Sequence, residues 1–374
     1  MAEPNRWTGW VAERLAAIDA DDRRRRVVAF DAVGPVGHLA DGAELVSFAS
    51  NDYLGLTHHP AVTAAAVAAV RRWGTGSGAS RLVVGSRPVH HELEGALAAW
   101  KGTEAALLFP TGYAANLGVL SALAGPGVRI CSDELNHASI IDGCRLAAAR
   151  GAEIRVYPHG DVEALARLLD GPERSIVVTD GVFSMDGDVA PWAALGSVCA
   201  RPDTLVVVDE AHVVLDPLPA LDGVELVRVG TLSKTLGSLG GFVAASHGVV
   251  ELLLNTARSF VFTTAPSPPD TAAAAAALGV LRSPAGRTLV ERLRRHVDTV
   301  RPGHPTPIIP VVVGSERAAL DLSTALRSEG LLVPAIRPPT VPPGTSRLRI
   351  ALSADHTDDQ VAALVEALDR HGLR

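Results

Sequence analysis

Short apolar runs alternate with longer runs rich in alanine and leucine from Val46 to about Val261. Some short runs are wholly apolar, such as Ile176–Val178 and Leu205–Val208, which is typical of strands covered on both faces of a parallel sheet. The pattern therefore predicts an α/β fold with a large, mostly parallel sheet of seven strands. The predicted strands are Ala105–Phe109, Val128–Cys131, Glu153–Tyr157, Ser175–Thr179, Thr204–Val208, Glu225–Val229 and Gly241–Ala245, and the helices between them are Ala114–Leu123, Ala138–Arg150, Val162–Leu169 and Trp192–Cys199.

Two further regions flank the predicted sheet. The first combines an amphipathic helix, Trp10–Ile18, with a run of four arginines, Arg23–Arg26, and we interpret it as an arm. After an alanine-rich helix, Thr271–Leu281, the pattern changes to helices and strands in mixed order. The predicted regions are an N-terminal arm of residues 1–46, a large domain of residues 47–282 and a smaller α+β domain of residues 283–374.

Composition excludes several classes of protein. The chain has 374 residues, 47% of them hydrophobic, and its formal net charge of −7 offers no basic surface for nucleic acid. Cys131, Cys144 and Cys199 are an odd number without metal-ligand spacing, which argues against a disulfide framework and a metal site. No apolar run reaches the ~20 residues that span a bilayer, and the start lacks a signal-peptide pattern. We therefore expect a soluble, cytoplasmic protein without a membrane partner.

The use of lysine is the first indication of chemistry. Only Lys101 and Lys234 among the 34 basic residues are lysines, and the other 32 are arginines. A retained lysine indicates a need for a primary amine, which deprotonates and attacks carbonyl groups. Lys101 precedes Gly102 at the end of a helical pattern, so we expect it to be a solvated helix end. Lys234 lies among small and apolar residues and is the candidate nucleophile.

Polar residues follow four of the predicted strands, where ligands bind in open α/β sheets. Together with Lys234 they meet the needs of pyridoxal phosphate. This cofactor requires a lysine for the Schiff base, a carboxylate near the pyridine nitrogen and a helix N-terminus for the phosphate. A nucleotide-binding protein, the alternative, requires G-x-G-x-x-G after its first strand, whereas Gly74–Gly78 follows a helix. The residues after the strands are Thr111, His137, Ser184, Asp209 and His212.

Seven ordered motifs give the chain a family resemblance. It resembles the α-oxoamine synthases, pyridoxal-phosphate enzymes of fold type I that condense an amino acid with an acyl thioester and release carbon dioxide. The motifs run from the first domain boundary almost to the last helix, so the resemblance covers most of the chain. They are Ser50–Leu56 (SNDYLGL), Gly74–Arg81 (GTGSGASR), Asn136–Ser139 (NHAS), Gly181–Asp188 (GVFSMDGD), Asp209–His212 (DEAH), Thr231–Lys234 (TLSK) and Gly344–Arg349 (GTSRLR).

The resemblance implies a role for each matching residue around the cofactor ring. Lys234 would form the Schiff base and move the Cα proton of the substrate, and Asp209 would pair with the pyridinium nitrogen. His212 and Ser184 would bond the ring hydroxyl or the Schiff-base region, and His137 would stack on the ring.

The resemblance also implies residues for the phosphate and the substrate. Asn51 and Arg349 would meet the substrate carboxylate, and the enzyme would be a homodimer with active sites at the subunit interface. The phosphate ligands would be Thr111, Gly112, Tyr113 and Thr231, with Thr263 or Thr264 from the second subunit.

One branch of the family matches best. Ala335–Pro342 (AIRPPTVP) is similar to the branch that joins L-alanine to a pimeloyl thioester, carried by CoA or acyl carrier protein, in biotin biosynthesis. Ser80 leaves room for the alanine methyl where a glycine-using branch carries threonine. An arginine among Arg23 to Arg26, with Arg24 and Arg25 as the candidates, would reach toward the acyl chain, and the alternative is that this run is a solvated helix end. The alternatives are the same chemistry with another pair, such as glycine with acetyl-CoA or a secondary-metabolite substrate, and a non-catalytic subunit of an active partner.

The chain departs from the family after His212. Val213–Pro219 (VVLDPLP) stands where the family has a glycine-rich loop, and the distance to Lys234 is several residues shorter. Prolines fix φ and stiffen the backbone. We therefore expect this segment to alter the wall that faces the acyl group or the partner subunit.

Overall fold

The computed structural model describes residues 5–21, 23–171 and 174–373. Residues 1–4 and 22 of the predicted arm, and residue 374, lie outside this part of the chain. The strands are β1 (Phe30–Val33), β2 (Val36–Leu39), β3 (Glu44–Ser47), β4 (Ala105–Phe109), β5 (Val128–Asp133), β6 (Glu153–Tyr157), β7 (Arg174–Asp180), β8 (Thr204–Asp209), β9 (Glu225–Thr231), β10 (Gly241–Ala245), β11 (Ile308–Gly314), β12 (Leu331–Leu332), β13 (Ala335–Ile336) and β14 (Ser346–Ala351).

The helices follow the amphipathic and alanine-rich runs of the sequence. A single π-helical turn, Arg81–Gly85, precedes the third of them. The helices are α1 (Arg6–Ala20), α2 (Pro60–Trp73), α3 (Pro88–Lys101), α4 (Gly112–Leu123), α5 (Ala138–Ala149), α6 (Val162–Leu168), α7 (Trp192–Cys199), α8 (His247–Thr256), α9 (Arg258–Val261), α10 (Pro268–Leu281), α11 (Pro284–Val300), α12 (Glu316–Ser328) and α13 (Asp358–Arg370).

All seven predicted strands form one central sheet in the order β4-β10-β9-β8-β7-β5-β6. Strands β9, β8, β7, β5 and β6 pair in parallel, and β10 is antiparallel to both β4 and β9. The prediction of a mostly parallel seven-stranded sheet is therefore confirmed. In-register pairing of Asp180 with Asp209 places the carboxyl ends of β7 and β8 side by side.

Helices cover both faces of this sheet, as the wholly apolar strands predict. Successive residues of a strand point to opposite faces, so Val207 packs in the layer with α4 and α5, whereas Val206 and Val208 pack in the layer with α6 and α7. Burial on both sides explains why these strands show no polar alternation.

The C-terminal part contains a three-stranded sheet, β11-β14-β13, with α11, α12 and α13 around it. The chain before residue 47 is more ordered than an arm: β1, β2 and β3 form an antiparallel meander, and β3 pairs in parallel with β12. The pattern did not predict these short strands. Helix α1 has no buried residue. None of the helices in the described part of the chain is long and apolar enough to cross a bilayer.

Candidate active site

Loops and helix starts at the carboxyl ends of β4, β5, β7, β8 and β9 enclose a cavity of about 210 Å³. Nine of the residues predicted for catalysis or cofactor binding line it, so the fold brings together positions that span more than 120 residues of sequence. The lining residues are Thr111, Gly112, Tyr113, His137, Ser139, Asp180, Ser184, Asp209, Ala211, His212, Thr231, Ser233 and Lys234.

Lys234 lies just beyond β9, with its amine inside the cavity. Its Nζ is 3.1 Å from Nε2 of His212. Burial lowers the pKa of Lys234 and outweighs the opposing charges of Asp209 and Asp180. A lowered pKa increases the fraction of free amine, which is the form that attacks a carbonyl.

His212 is held from its other side by a residue that the sequence analysis missed. Nδ1 of His212 is 2.6 Å from the hydroxyl of Tyr53, which is fully buried and also donates to Oδ1 of Asn51 at 3.1 Å. Burial holds the pKa of His212 well below its usual value, and the charges of Lys234 and Arg349 lower it further. The imidazole is therefore neutral. Burial likewise raises the pKa of Tyr53 to about 12. Tyr53 lies in the motif Ser50–Leu56, two residues after Asn51. This position was the feature of the sequence that could have identified it as a site residue.

Asp209 ends β8 with its carboxylate at the floor of the cavity. Oδ2 accepts from Nδ2 of Asn116 at 2.6 Å, and Oδ1 accepts from the backbone N–H of Ala211 at 2.9 Å. The adjacent Asp180 is fully buried, and burial followed by the charge of Asp209 raises the pKa of Asp180 well above its usual value. The raised pKa of Asp180 favours its protonated form beside Asp209. The sequence analysis assigned no role to Asn116 or Asp180.

His137 supplies a flat ring at the wall of the cavity. Its Nδ1 is 2.7 Å from the hydroxyl of Ser139, and its backbone N–H donates to Oδ2 of Asp180 at 3.0 Å. Burial lowers the pKa of His137, although the charge of Asp209 opposes this shift. The ring is therefore neutral and suited to stacking on an aromatic cofactor. The Tyr113 ring lies edge-on to it, with the two centroids 6.4 Å apart.

The N-terminus of α4 provides a place for a phosphate. Thr111 caps the helix by accepting from the N–H of Ala114 at 3.0 Å. A Cβ at Gly112 would lie 3.3 Å from that of Thr231, so glycine keeps this space open. The Thr231 hydroxyl is 2.7 Å from that of Ser233. A helix N-terminus with clustered hydroxyls attracts an anion, and the lysine, carboxylate and neutral histidine complete the donor set of pyridoxal phosphate. The residues present fit this cofactor.

Asn51 and Arg349 meet at the edge of the same site. Nη2 of Arg349 donates to Oδ1 of Asn51 at 3.2 Å, and Nε donates to the carbonyl of Ser184 at 2.5 Å. The Arg349 side chain is buried, with 5% of the residue exposed. A guanidinium held in this way has donors available for a carboxylate, and binding of the substrate carboxylate here stays a prediction.

A second cavity of about 450 Å³ includes Ser184 and extends to the N-terminal arm and the proline-rich segment 338–343. Arg23 lines it and forms an ion pair with Glu316 at 3.2 Å. Arg24 instead pairs with Asp19 at 3.2 Å, and Arg25 bonds the hydroxyl of Thr340 at 3.1 Å. Arg23 is thus the arginine of this run that lines the cavity shared with Ser184.

Three other predicted site residues lie outside the cofactor cavity, and their roles stay predictions. Ser80 precedes the π-helical turn, and Thr263 and Thr264 follow α9. Near them, Val83, Val84 and Phe262 leave 72%, 69% and 71% of their surfaces exposed. An apolar surface of this kind is typical of a subunit interface.

The structure contradicts the expectation for Lys101. Its side chain is only 10% exposed and forms an ion pair with Oε2 of Glu210 at 2.5 Å, while Arg228 bonds Oε1 of the same carboxylate. The lysine also lies over the ring of Trp100 at 3.7 Å. Gly102 does cap the helix in the left-handed conformation, with φ of 66°. The prediction of a solvated lysine was wrong because Glu210, distant in sequence, comes close only in the fold.

The predicted effect of segment Val213–Pro219 on the wall that faces the acyl group or the partner subunit stays a prediction. The segment does not line the cavity between Ser184 and the arm. It separates a cavity of about 470 Å³ beside Lys101 from one of about 390 Å³ beside His212 and Trp192.

Comparison with known proteins agrees with this site. Residues 43–368 match the family Aminotransferase class I and II. An 8-amino-7-oxononanoate synthase of Anaeromyxobacter dehalogenans is 49% identical over 380 residues, covering 96% of this chain and 94% of that protein. The one from Geobacter sulfurreducens is 46% identical, covering 89% of this chain and 90% of that protein.

Solved structures give the same result. A serine palmitoyltransferase from S. paucimobilis with bound PLP is similar with a TM-score of 0.89 and 30% identity, covering 98% of this chain and 97% of that chain. An 8-amino-7-oxononanoate synthase from Francisella tularensis has a TM-score of 0.73 and 25% identity, covering 88% and 98% respectively. The fold type I architecture predicted from the sequence is therefore confirmed.

Proposed function

The chain belongs to the class I and II aminotransferase family, and we propose that it condenses L-alanine with a pimeloyl thioester to give 8-amino-7-oxononanoate, carbon dioxide and the free thiol. It is a pyridoxal-phosphate-dependent acyltransferase that resembles enzymes of biotin biosynthesis. The observation that carries this proposal is the buried Lys234 amine, which shares one cavity with Asp209, His137 and His212.

Each residue of the cavity would have a separate role around the cofactor. When bound, pyridoxal phosphate supplies an electron sink for the carbanion at the substrate Cα. Asp209 would hold a proton on the ring nitrogen, His137 would cover the ring, and Thr111 and Thr231 would bind the phosphate. Lys234, whose pKa burial lowers, would take the Cα proton of L-alanine at Nζ and later return one to the product Cα.

Arg349 and Asn51 would orient alanine by its carboxylate, so that the Cα–H bond faces Lys234. A new bond then joins Cα to the thioester carbonyl carbon, and the thiolate leaves with a proton. The carboxylate is lost as carbon dioxide, and Cα takes up a proton. The acyl chain would extend past Ser184 into the cavity of about 450 Å³ toward Arg23.

We further propose a cytoplasmic homodimer. The exposed Val83, Val84 and Phe262 support a subunit interface, and Thr263 and Thr264 would then serve the partner's phosphate site. Cys131, Cys144 and Cys199 are all buried and unpaired, in keeping with a reducing compartment.

The test is substrate selection by the purified holoenzyme. L-alanine, glycine and L-serine are each combined with pimeloyl-CoA, pimeloyl acyl carrier protein and acetyl-CoA, and products are identified by mass spectrometry. The expected product is 8-amino-7-oxononanoate, formed with release of one carbon dioxide per thiol. Faster turnover of glycine with acetyl-CoA would contradict the proposal, and no turnover with any pair would favour a non-catalytic subunit.

A matched pair of variants tests the chemistry itself. Asp209→Ala is expected to retain the fold but lose most of its turnover, because a ring nitrogen without a proton is a poor electron sink. Asp321→Asn, at an exposed ion pair in α12, is the control and is expected to keep wild-type turnover. Equal turnover by the two variants would remove Asp209 from this role.

A further inference from the structure

The cavity of about 470 Å³ beside Lys101 lies back to back with the cofactor cavity. Asp209 and Lys234 line the cofactor cavity, whereas the next residue in each case, Glu210 and Thr235, lines the other one. The cavity beside Lys101 is therefore separate from the cofactor cavity.

The floor of this cavity carries an unbalanced charge. Lys101 and Arg228 both bind the carboxylate of Glu210, and the three side chains are only 10%, 6% and 2% exposed. Two cations against one carboxylate leave one net positive charge. Burying a charge without a counter-ion is costly, so this group favours the approach of an anion.

The rim of the cavity also carries an excess of positive charge. Arg282 and Arg287 line it, and neither forms an ion pair with a residue in the described part of the chain. Glu291 is the one further acidic residue among the lining side chains. Counting floor and rim together, cations exceed carboxylates by two.

The walls between floor and rim are apolar. They include Val213, Leu215, Leu218, Leu281 and Val290. A pocket of a few hundred Å³ with apolar walls and a few placed polar groups is typical of small-molecule sites. The chemistry of the cavity therefore matches a molecule with an aliphatic body and one anionic head.

The exposed apolar residues that support a subunit interface lie away from this cavity. The exposed apolar residues Val83, Val84 and Phe262 lie near the N-terminal ends of α3 and α10, whereas the cavity lies at the C-terminal ends of these helices. Each helix has 14 residues, which corresponds to about 21 Å of length.

From these observations we propose that the cavity is a second ligand site, which takes an aliphatic carboxylate with its head toward Lys101 and its chain along the wall of Val213 and Leu218. The inference goes beyond the proposed function and does not require acyltransferase activity, so either can fail without the other.

The test is calorimetric titration of the holoenzyme with sodium octanoate in the presence of saturating pimeloyl-CoA. Octan-1-ol has the same chain without the charge, and butyrate has the charge with a shorter chain. Octanoate is expected to bind at least about tenfold more tightly than either, a difference of about 1.4 kcal/mol. Equal affinity for octan-1-ol, absence of octanoate binding, or binding that pimeloyl-CoA abolishes would overturn the proposal.

Two variants locate the binding event. Val290→Trp fills the cavity and is expected to abolish octanoate binding, and the double variant Arg282→Gln/Arg287→Gln is expected to weaken it about fivefold or more. Arg295→Gln, an exposed change on the same helix outside the cavity, is the control. Circular dichroism checks that each variant folds. If Val290→Trp does not fold, octanoate binding by Arg282→Gln/Arg287→Gln tests the location of the site. Octanoate binding that neither variant changes would place the site elsewhere and refute the proposal.

Discussion

The surroundings of Lys234 and Lys101 differ although the two side chains lie in neighbouring cavities. Lys234 contacts the neutral His212 at 3.1 Å and forms no ion pair with a described carboxylate. Lys101 is bound at 2.5 Å to Glu210, which Arg228 also bonds. Burial with no adjacent counter-ion disfavours the charged form of an amine, whereas a close carboxylate favours it.

This difference shows how one residue type acquires two functions. The lowered pKa of Lys234 favours its proposed role as a nucleophile and base, whereas Lys101 is held in an ion pair with Glu210. The following predictions test this contrast, in order of decreasing expected effect.

Removal of each lysine should have different consequences. Lys234→Ala is expected to abolish covalent attachment of the cofactor and to lower kcat by roughly 10³-fold or more, because the nucleophile and base is lost. Lys101→Met should keep the attachment. Borohydride reduction followed by peptide mass spectrometry locates the cofactor. Attachment that persists in Lys234→Ala, or that is lost in Lys101→Met, would contradict the assignment.

The charge balance beside Lys101 predicts unequal stability effects. Glu210→Gln leaves two buried cations and is expected to cost about 3–5 kcal/mol of unfolding free energy. Lys101→Met leaves a balanced pair and should cost about 1 kcal/mol or less, as should Asp216→Asn at the surface. Urea unfolding measures all three. Equal losses for Glu210→Gln and Lys101→Met would show that the group has no excess charge.

The contact between Tyr53 and His212 is expected to support Lys234. Tyr53→Phe leaves Nδ1 of His212 without its partner, which is expected to cost about 1–3 kcal/mol of unfolding free energy and to lower kcat, because His212 is less firmly held beside Lys234. The pH profile of kcat should shift as well, because the proton distribution on His212 changes. Tyr157→Phe, a buried tyrosine on β6, is the control. An unchanged kcat and pH profile would indicate that Tyr53 only fills space.

The charges around His159 are the opposite of those in the Lys101 group. One imidazole lies between two carboxylates here, whereas one carboxylate lies between two cations there. His159 is 3.0 Å from Asp133 and 2.7 Å from Asp188. Burial alone would lower the pKa of His159, but the hydrogen bonds to Asp188 and Asp133 outweigh burial and raise it. Because the folded pKa lies above the unfolded value of about 6.5, the stabilisation is complete below that pH and is lost as pH rises through the folded pKa.

The Tm difference between wild type and His159→Asn should therefore be larger at about pH 6 than at about pH 9. The exposed His247→Asn is the matched control. A difference that grows with pH would mean that the neutral imidazole is the stabilising form.

Much of the fold could be predicted because its signals are local. Burial on both faces makes the strands Ile176–Val178 and Leu205–Val208 continuous apolar runs, and the ends of such strands fix where polar residues must meet. The predicted positions of Asp209, His212 and Lys234 in one cavity followed from this rule. The short strands β1 to β3 were not predicted, because β3 finds its partner β12 some 280 residues later in the chain.

The sequence by itself determined the strands, the motifs and the candidate cofactor residues, because each depends on a local pattern or a fixed spacing. Only the tertiary structure decided the electrostatic state of each group. Lys101, at the end of α3, is buried against Glu210, which follows β8, and Glu210 also bonds Arg228 of β9. The pKa of Asp180 is raised because the fold buries it and places Asp209 beside it in the sheet. A pKa depends on burial and on charges within a few ångströms, and neither is contained in the order of residues along the chain.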